Sequence, residues 1–463
     1  MTVINFQYKL QVVLNSLHHP KAKRNTQRRA EIERESRKRM VEVLESSFVV
    51  PSDETPKGRL WLSNLDQVAP RGFGGHVSFY NKSEATSFFS IEVLKASLAK
   101  ALVLYYPLAG RYIVGSDGRV ELDCNAEGCF FVRAQIERTF DSINFQPSQE
   151  LEELFIPSSQ MAGSPFLLLM IQVTYLKCGG VVLGFASNHV FADGQSMFHF
   201  IRTWASITRG DLSSIVPPSF DQTQLRARSP PIVKFDHSVY KANASMSTPT
   251  DSTTTKLRLS KEQVSSLNSR CNRGKVIEIS TFCSVASLVW KCYCYAQNLA
   301  PDTTACLIFP VDIRSRLQPQ LPKTHFSNAI VRKSVQSKVS KITSSPLQVV
   351  AESVQTAVKS VSDEYIRSYI DNLEIIRNEF VYRKESPESQ LRVISICGMP
   401  LYDADFGWGP PQLVSRWKVT GNRVVFISNE PGENGGIELV VTIDSATMHR
   451  FLKMFHEELN ARN

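Results

Sequence analysis

The segment that most constrains this chain is Val181–Ala186, an apolar run that follows Gly179-Gly180. A strand with one solvated face alternates apolar and polar residues, so a continuous apolar run reads as a strand buried on both faces. Such a strand needs layers above and below it. One Ser further on, the chain reaches Asn188-His189-Val190-Phe191-Ala192-Asp193-Gly194. From Gln195 to about Thr208, Met197, Phe200, Ile201 and Trp204 then recur at helical spacing. Buried strand, glycine-containing turn and amphipathic helix, in that order, put His189 on a rigid corner that can face a cleft.

The same mixture of periods runs through the rest of the chain. Leu94, Leu98, Ala101, Leu102 and Tyr105 predict a helix over 91–105 that Pro107 stops, and strands are expected at 111–114, 128–134 and 167–175. Residues 28–46, with Glu33/Arg37 and Glu35/Arg39 four apart, read as a charged helix. In the second half, helices are expected around Val264, over 281–297, as one long helix over 347–370, and over 445–461. Strands are expected at 305–310, 424–427 and 436–443. Residues 209–256, rich in Pro, Ser and Thr with Pro217-Pro218 and Pro230-Pro231, read as a crossover between domains. Interleaved strands and helices in both halves argue for an α/β or mixed α+β architecture in two layered domains, as 463 residues also suggests.

Net charge is +9, which raises nucleic acid or an anionic membrane as partners. The excess is local. Residues 1–40 hold ten Lys/Arg against three Glu, and the rest of the chain carries 43 basic against 41 acidic residues. The basic leader is expected to be a solvated charged appendage, and the nearly neutral body gives no reason to expect nucleic acid. No apolar run approaches the roughly 18 residues of a membrane span. Nine scattered cysteines, an odd number with no C-x-x-C pair or zinc-ligand spacing, read as free thiols in a reducing compartment, the cytoplasm, with no metal site. The chain is separately expected to be a monomer.

Three clusters can carry chemistry. His189 is a candidate general base, since its unperturbed pKa lies near neutrality, and Asp193 four residues on can hold its loop. Asp405-Phe406-Gly407-Trp408-Gly409-Pro410 specifies a tight backbone path closed by an aromatic, a structural hairpin on its own terms. Asp312-Ile313-Arg314-Ser315-Arg316 follows a strand and by itself would be a solvated turn. The chain has no Gly-x-Ser-x-Gly elbow, no P-loop, no Gly-x-Gly-x-x-Gly after a strand and no His-Glu-x-x-His. Serine hydrolase, nucleotide hydrolase and zinc protease chemistry all lose ground. A histidine acting directly on a bound nucleophile remains.

Taken together, His189–Gly194 and Asp405–Gly409, just over two hundred residues apart, resemble the two signatures of the BAHD family of plant acyl-CoA-dependent acyltransferases. Tyr105–Arg111 and the stretch from Asp312–Arg316 through Pro322 to His325–Asn328 support the resemblance, which runs from about Val41 to the C-terminus. Arg59–Asp66, Leu225–Pro231 and Phe235–His237 are most similar to the hydroxycinnamoyl-CoA:shikimate/quinate branch.

The resemblance implies two similar-sized chloramphenicol-acetyltransferase-like domains joined by a crossover, with the active-site channel between them. Residues 41–210 would form the first, with a return segment near 390–412; 211–255 would be the linker and 256–463 the second. It implies acyl-CoA as co-substrate, no permanent cofactor, and His189 as the base that takes the acceptor's proton during direct attack on the thioester. Asp193 and Asp405 come from the catalytic signatures, with Asp193 paired to Arg314 and Gly194, Gly407, Trp408 and Gly409 shaping the channel. Ser280 and Thr281, opening a helix, match a stretch near the family's CoA site, although both are equally good helix caps. For the acceptor, His76, Ser395 and Arg383 are the candidates. Shikimate-using relatives carry a Thr-Ser-Trp where this chain reads Ile394-Ser395-Ile396, and their carboxylate-gripping arginine falls by counting at Val381. The expected activity is hydroxycinnamoyl transfer to a shikimate- or quinate-like hydroxyl. The alternatives are N-acylation of a polyamine or aryl amine, alcohol acylation from a short acyl-CoA, and a non-catalytic binding protein.

Overall fold

In a computed structural model, residues 41–461 are described, apart from 86, 238–250, 275–277, 377–386, 420, 431 and 433–434. The leader 1–40, Val381 and Arg383 therefore lie outside the described residues. The chain forms two six-stranded mixed sheets. The first runs, edge to edge, Glu42–Val49, Cys129–Ile136, Leu169–Leu176, Val181–Asn188, Phe73–Tyr80 and Leu413–Ser415. The second runs Ile330–Lys338, Thr304–Asp312, Gln390–Ser395, Val424–Asn429, Ile437–Asp444 and Ser252–Leu259. A three-stranded sheet of Arg59–Trp61, Val120–Asp123 and Arg111–Val114 flanks the first.

Val181–Asn188 is buried at every position, as its composition requires. One face of its sheet is covered by Ile91–Leu104 and Gly194–Arg209, where Trp204 is fully buried and its indole donates to Ser97 Oγ at 3.1 Å. The other face packs against Gln149–Phe155. In the second half, Thr281–Gln297 is apolar nearly all round and is therefore a core helix. It lies against Leu347–Lys359 and Ser445–Asn460.

Four expectations need correcting. Residues 42–46 are an edge strand and not the end of a charged helix. Their β-branched and aromatic neighbours up to Val49 pair with Cys129–Ile136, and sheet pairing outweighs the helical charge spacing. The long helix over 347–370 is two helices, Leu347–Lys359 and Asp363–Ile376. Ser362 Oγ accepts from Tyr365 N at 3.2 Å, so a serine cap breaks what the apolar period alone would continue. Gln390–Ser395 belongs to the second sheet, and the chain returns to the first only afterwards, through Leu401, Ala404 and Phe406 in its core and Leu413–Ser415 at its edge. The second sheet also takes up the chain at Ser252, before the expected linker ends.

Candidate active site

His189 follows directly on the buried strand, and its backbone N donates to Gly72 O at 3.1 Å. Four residues later Asp193 caps Gly194–Arg209, accepting from Ser196 N at 2.9 Å. The corner is thus fixed at one end by a backbone hydrogen bond and at the other by the Asp193 side-chain cap. It lines a cavity of about 120 Å³ between the two halves, which His76, Phe185 and Gly194 line from the first and Phe426, Ser428 and Glu438 from the second.

The second half clamps this corner. Arg314 binds Asp193 in a two-pronged pair, Nη1 to Oδ2 at 2.9 Å and Nη2 to Oδ1 at 3.0 Å, and also donates to the His325 carbonyl. Ala329 N supplies a further donor to Asp193 Oδ2 at 3.0 Å. Burial alone would raise the Asp193 carboxyl, but the Arg314 charge and these donors hold it below its usual value. A carboxylate so engaged has no free lone pair for proton transfer.

Asn328 meets the histidine itself. Asp66 Oδ1 accepts from both Asn328 N and Asn328 Nδ2, each at 2.9 Å, so the amide nitrogen must face Asp66. The amide oxygen therefore points to His189 Nδ1, 3.0 Å away, and that nitrogen carries the proton. Nε2 is left as the lone-pair nitrogen toward the cavity. Asp66 also accepts from Ser63 N and Ser63 Oγ. Its burial pushes the carboxyl up to about 7 against four hydrogen bonds that favour the carboxylate. Asn328→Ala removes the device that selects the tautomer and lowers kcat about 10- to 100-fold with little change in acyl-CoA KM. Steady-state thiol-release kinetics check this; an unchanged kcat contradicts it.

Burial lowers the His189 pKa, the Asp193 charge opposes that, and the Arg416 charge adds to it. The ring is thus neutral and competent as a base at neutral pH. Burial also lowers His76, His237 and His325, each to about 4. The unfolded histidines take up protons near 6.5 and the folded ones only below it, so proton uptake favours the unfolded chain in that window. Asp66, raised in the folded state, acts the other way but alone. Stability should accordingly fall as pH drops from about 6.5 toward 4, which denaturant midpoints at pH 7.5 and 5 will show. A higher midpoint at pH 5 contradicts this.

The remaining candidate residues divide. His76 lines the cavity, stacked on Phe185 and Phe198 with ring centroids 5.7 and 5.3 Å away. Asp405 does not line it. Its Oδ1 accepts from Gly407 N and Gly409 N at 2.8 and 2.9 Å, and its carbonyl accepts from Arg209. Both glycines sit at left-handed φ, +99° and +96°, which an L side chain resists. That loop seats Trp408 against Phe89 and Phe406 against Trp204, with centroids 4.8 and 4.7 Å apart, so Asp405 staples the loop. Ser395 Oγ accepts from Cys397 N and is not among the cavity residues, though Ile396 is. Ser280 caps its helix, accepting from Cys283 N at 3.3 Å, and Thr281 Oγ1 accepts from Asn268 Nδ2 at 2.8 Å. Both hydroxyls are occupied structurally and lie away from the cavity. Asn328, Asp66 and Arg416 were not singled out from sequence.

Residues 39–458 match the Transferase family. The chain is 40% identical over 451 residues to putrescine hydroxycinnamoyltransferase 1 of Oryza sativa subsp. japonica, covering 90% of this chain and 99% of that one. It is 34% identical over 437 residues to shikimate O-hydroxycinnamoyltransferase of Nicotiana tabacum, with the same coverage. Its fold is similar to that of vinorine synthase, with a TM-score of 0.70 at 22% identity over 89% of this chain and 98% of that one. On a match that spans nearly the whole described chain, this protein belongs to the BAHD transferase family and is an acyltransferase.

Proposed function

We propose that the protein transfers a hydroxycinnamoyl group from its CoA thioester to an acceptor hydroxyl, directly and within a ternary complex. The observation that carries this is the Asn328–His189 pair, which leaves one basic nitrogen at the cavity. His189 Nε2 takes the hydroxyl proton as the acceptor oxygen attacks the thioester carbonyl. The tetrahedral oxyanion then collapses to the ester, the C–S bond breaks, and the imidazolium returns the proton to the CoA thiolate. Asp193 and Arg314 hold the corner and move no proton. Cysteines that are free wherever described support a reducing compartment, the cytosol, and the reading takes the working unit as a monomer.

An amine acceptor is the second reading, favoured by the relative named for putrescine. The same base and the same collapse serve an attacking nitrogen. Thiol release from p-coumaroyl-CoA with a panel of hydroxyl and amine acceptors tests both. CoA release that depends on a hydroxylated acceptor is expected; release with amines alone overturns the O-transfer reading, and no release with any acceptor overturns both.

A further inference from the structure

We propose that Arg416 is an anion handle inside the cavity and that the acceptor acylated there carries a carboxylate. This rests on the acyltransferase reading above and names its acceptor class.

Arg416 follows Leu413–Ser415, the edge strand of the first sheet, and lines the cavity. Its guanidinium lies over the Phe426 ring, 4.0 Å from the centroid, which fixes the plane of the fork. Among the described residues no carboxylate pairs with it, and its Nε has no hydrogen-bond partner. The other charges that line the cavity are balanced. Glu438 pairs with Lys256 at 3.4 Å and Asp193 with Arg314 at 2.9 Å. Arg416 is thus the one uncompensated charge among these lining residues. Burial pulls it down to about 10, so it stays a cation at neutral pH.

A desolvated cation without a counter-charge is costly, and an anionic ligand supplies what is missing. The planar fork suits a carboxylate, which can take two parallel hydrogen bonds. Position decides which anion. Arg416 lines the same cavity as His76 and His189, so a carboxylate held there lies within a small molecule's reach of the base. The phosphates of acyl-CoA lie a whole pantetheine arm from the thioester. A diamine acceptor would instead meet an unbalanced positive charge. Carboxylate binding also offsets the Arg416 share of the His189 depression, while the larger share from burial remains.

The test uses the full chain with p-coumaroyl-CoA and two hydroxylated acids, shikimate and quinate, against their methyl esters and putrescine. The acids are expected to exceed esters and putrescine in kcat/KM by about 10-fold or more. Arg416→Gln should erase that preference through acceptor KM, a loss of about 10- to 100-fold for the acids, with acyl-CoA KM within about twofold of wild type. Arg416→Lys should keep part of it. Removing an unpaired, half-buried cation should leave the Arg416→Gln denaturation midpoint unchanged or higher, which separates lost binding from lost folding. Equal use of acids and esters, a preference that survives Arg416→Gln, or a loss confined to acyl-CoA KM overturns the handle. Putrescine preferred over the acids overturns it while leaving acyl transfer intact. No CoA release with any acceptor defeats the acyltransferase reading beneath it.

Discussion

His189→Ala lowers kcat/KM for CoA release by about 10²- to 10⁴-fold, the usual contribution of a positioned general base. Three features set that size. The ring is neutral at working pH because burial lowers its pKa. Its Nδ1 proton is directed at Asn328 Oδ1, 3.0 Å away, so the other nitrogen is the acceptor. The Asp193 carboxylate, itself held by Arg314, favours the imidazolium that forms as the proton arrives. Alanine removes the base but leaves the cavity walls, so acyl-CoA KM should change little. A His189→Ala protein that turns over within about twofold of wild type would remove His189 from the chemistry.

Asp193→Ala has the largest expected effect on stability. The side chains of Asp193 and Arg314 are 3% and 6% exposed, and the two halves meet through them. Breaking a buried pair by removing one partner strands the other charge, at about 3–5 kcal/mol. Arg314 would keep its bonds to the His325 and Ser327 carbonyls but lose its only close buried carboxylate among the described residues, Asp312 being half exposed. Ala329 N and Ser196 N would lose their acceptor as well. Chemical denaturation should show the loss. The double variant Asp193→Ala/Arg314→Leu should recover part of it, because no buried charge is then left alone. It should not recover turnover, because the corner that aims His189 is no longer clamped, and a displacement of about 1 Å costs on the order of 10²-fold. A single variant as stable as wild type contradicts the clamp.

The parts of the molecule legible in the sequence were those decided locally. Val181–Ala186 could only be a sheathed strand, and Gly194–Arg209 carries its apolar stripe and cap in consecutive residues. Asp193 with Arg314 was reachable only through the family resemblance, since 121 residues separate them. Where tertiary pairing outweighs local pattern, sequence misleads. Glu42–Val49 has helix-like charge spacing upstream yet is held as a strand by a partner some ninety residues away. Asp405 stands in a signature but spends its oxygen on two glycine amides. Ser280 and Thr281 suit an anion in type, but a helix end and Asn268 take them first. Asn328 selects the tautomer from the other half of the chain, and nothing near His189 announces it. Arg416 is similar: only the fold shows that it faces the cavity with no counter-charge beside it among the described residues.

The central claim is that the acceptor attacks the thioester directly, with His189 as the base and no acyl group on the protein. Intact-protein mass spectrometry after mixing with p-coumaroyl-CoA, with and without acceptor, tests it most directly. Without acceptor the chain should keep its mass and release no stoichiometric CoA; with acceptor, CoA and acylated acceptor should appear together. A coumaroyl adduct on the protein, formed with one equivalent of CoA before any acceptor is added, would contradict the account.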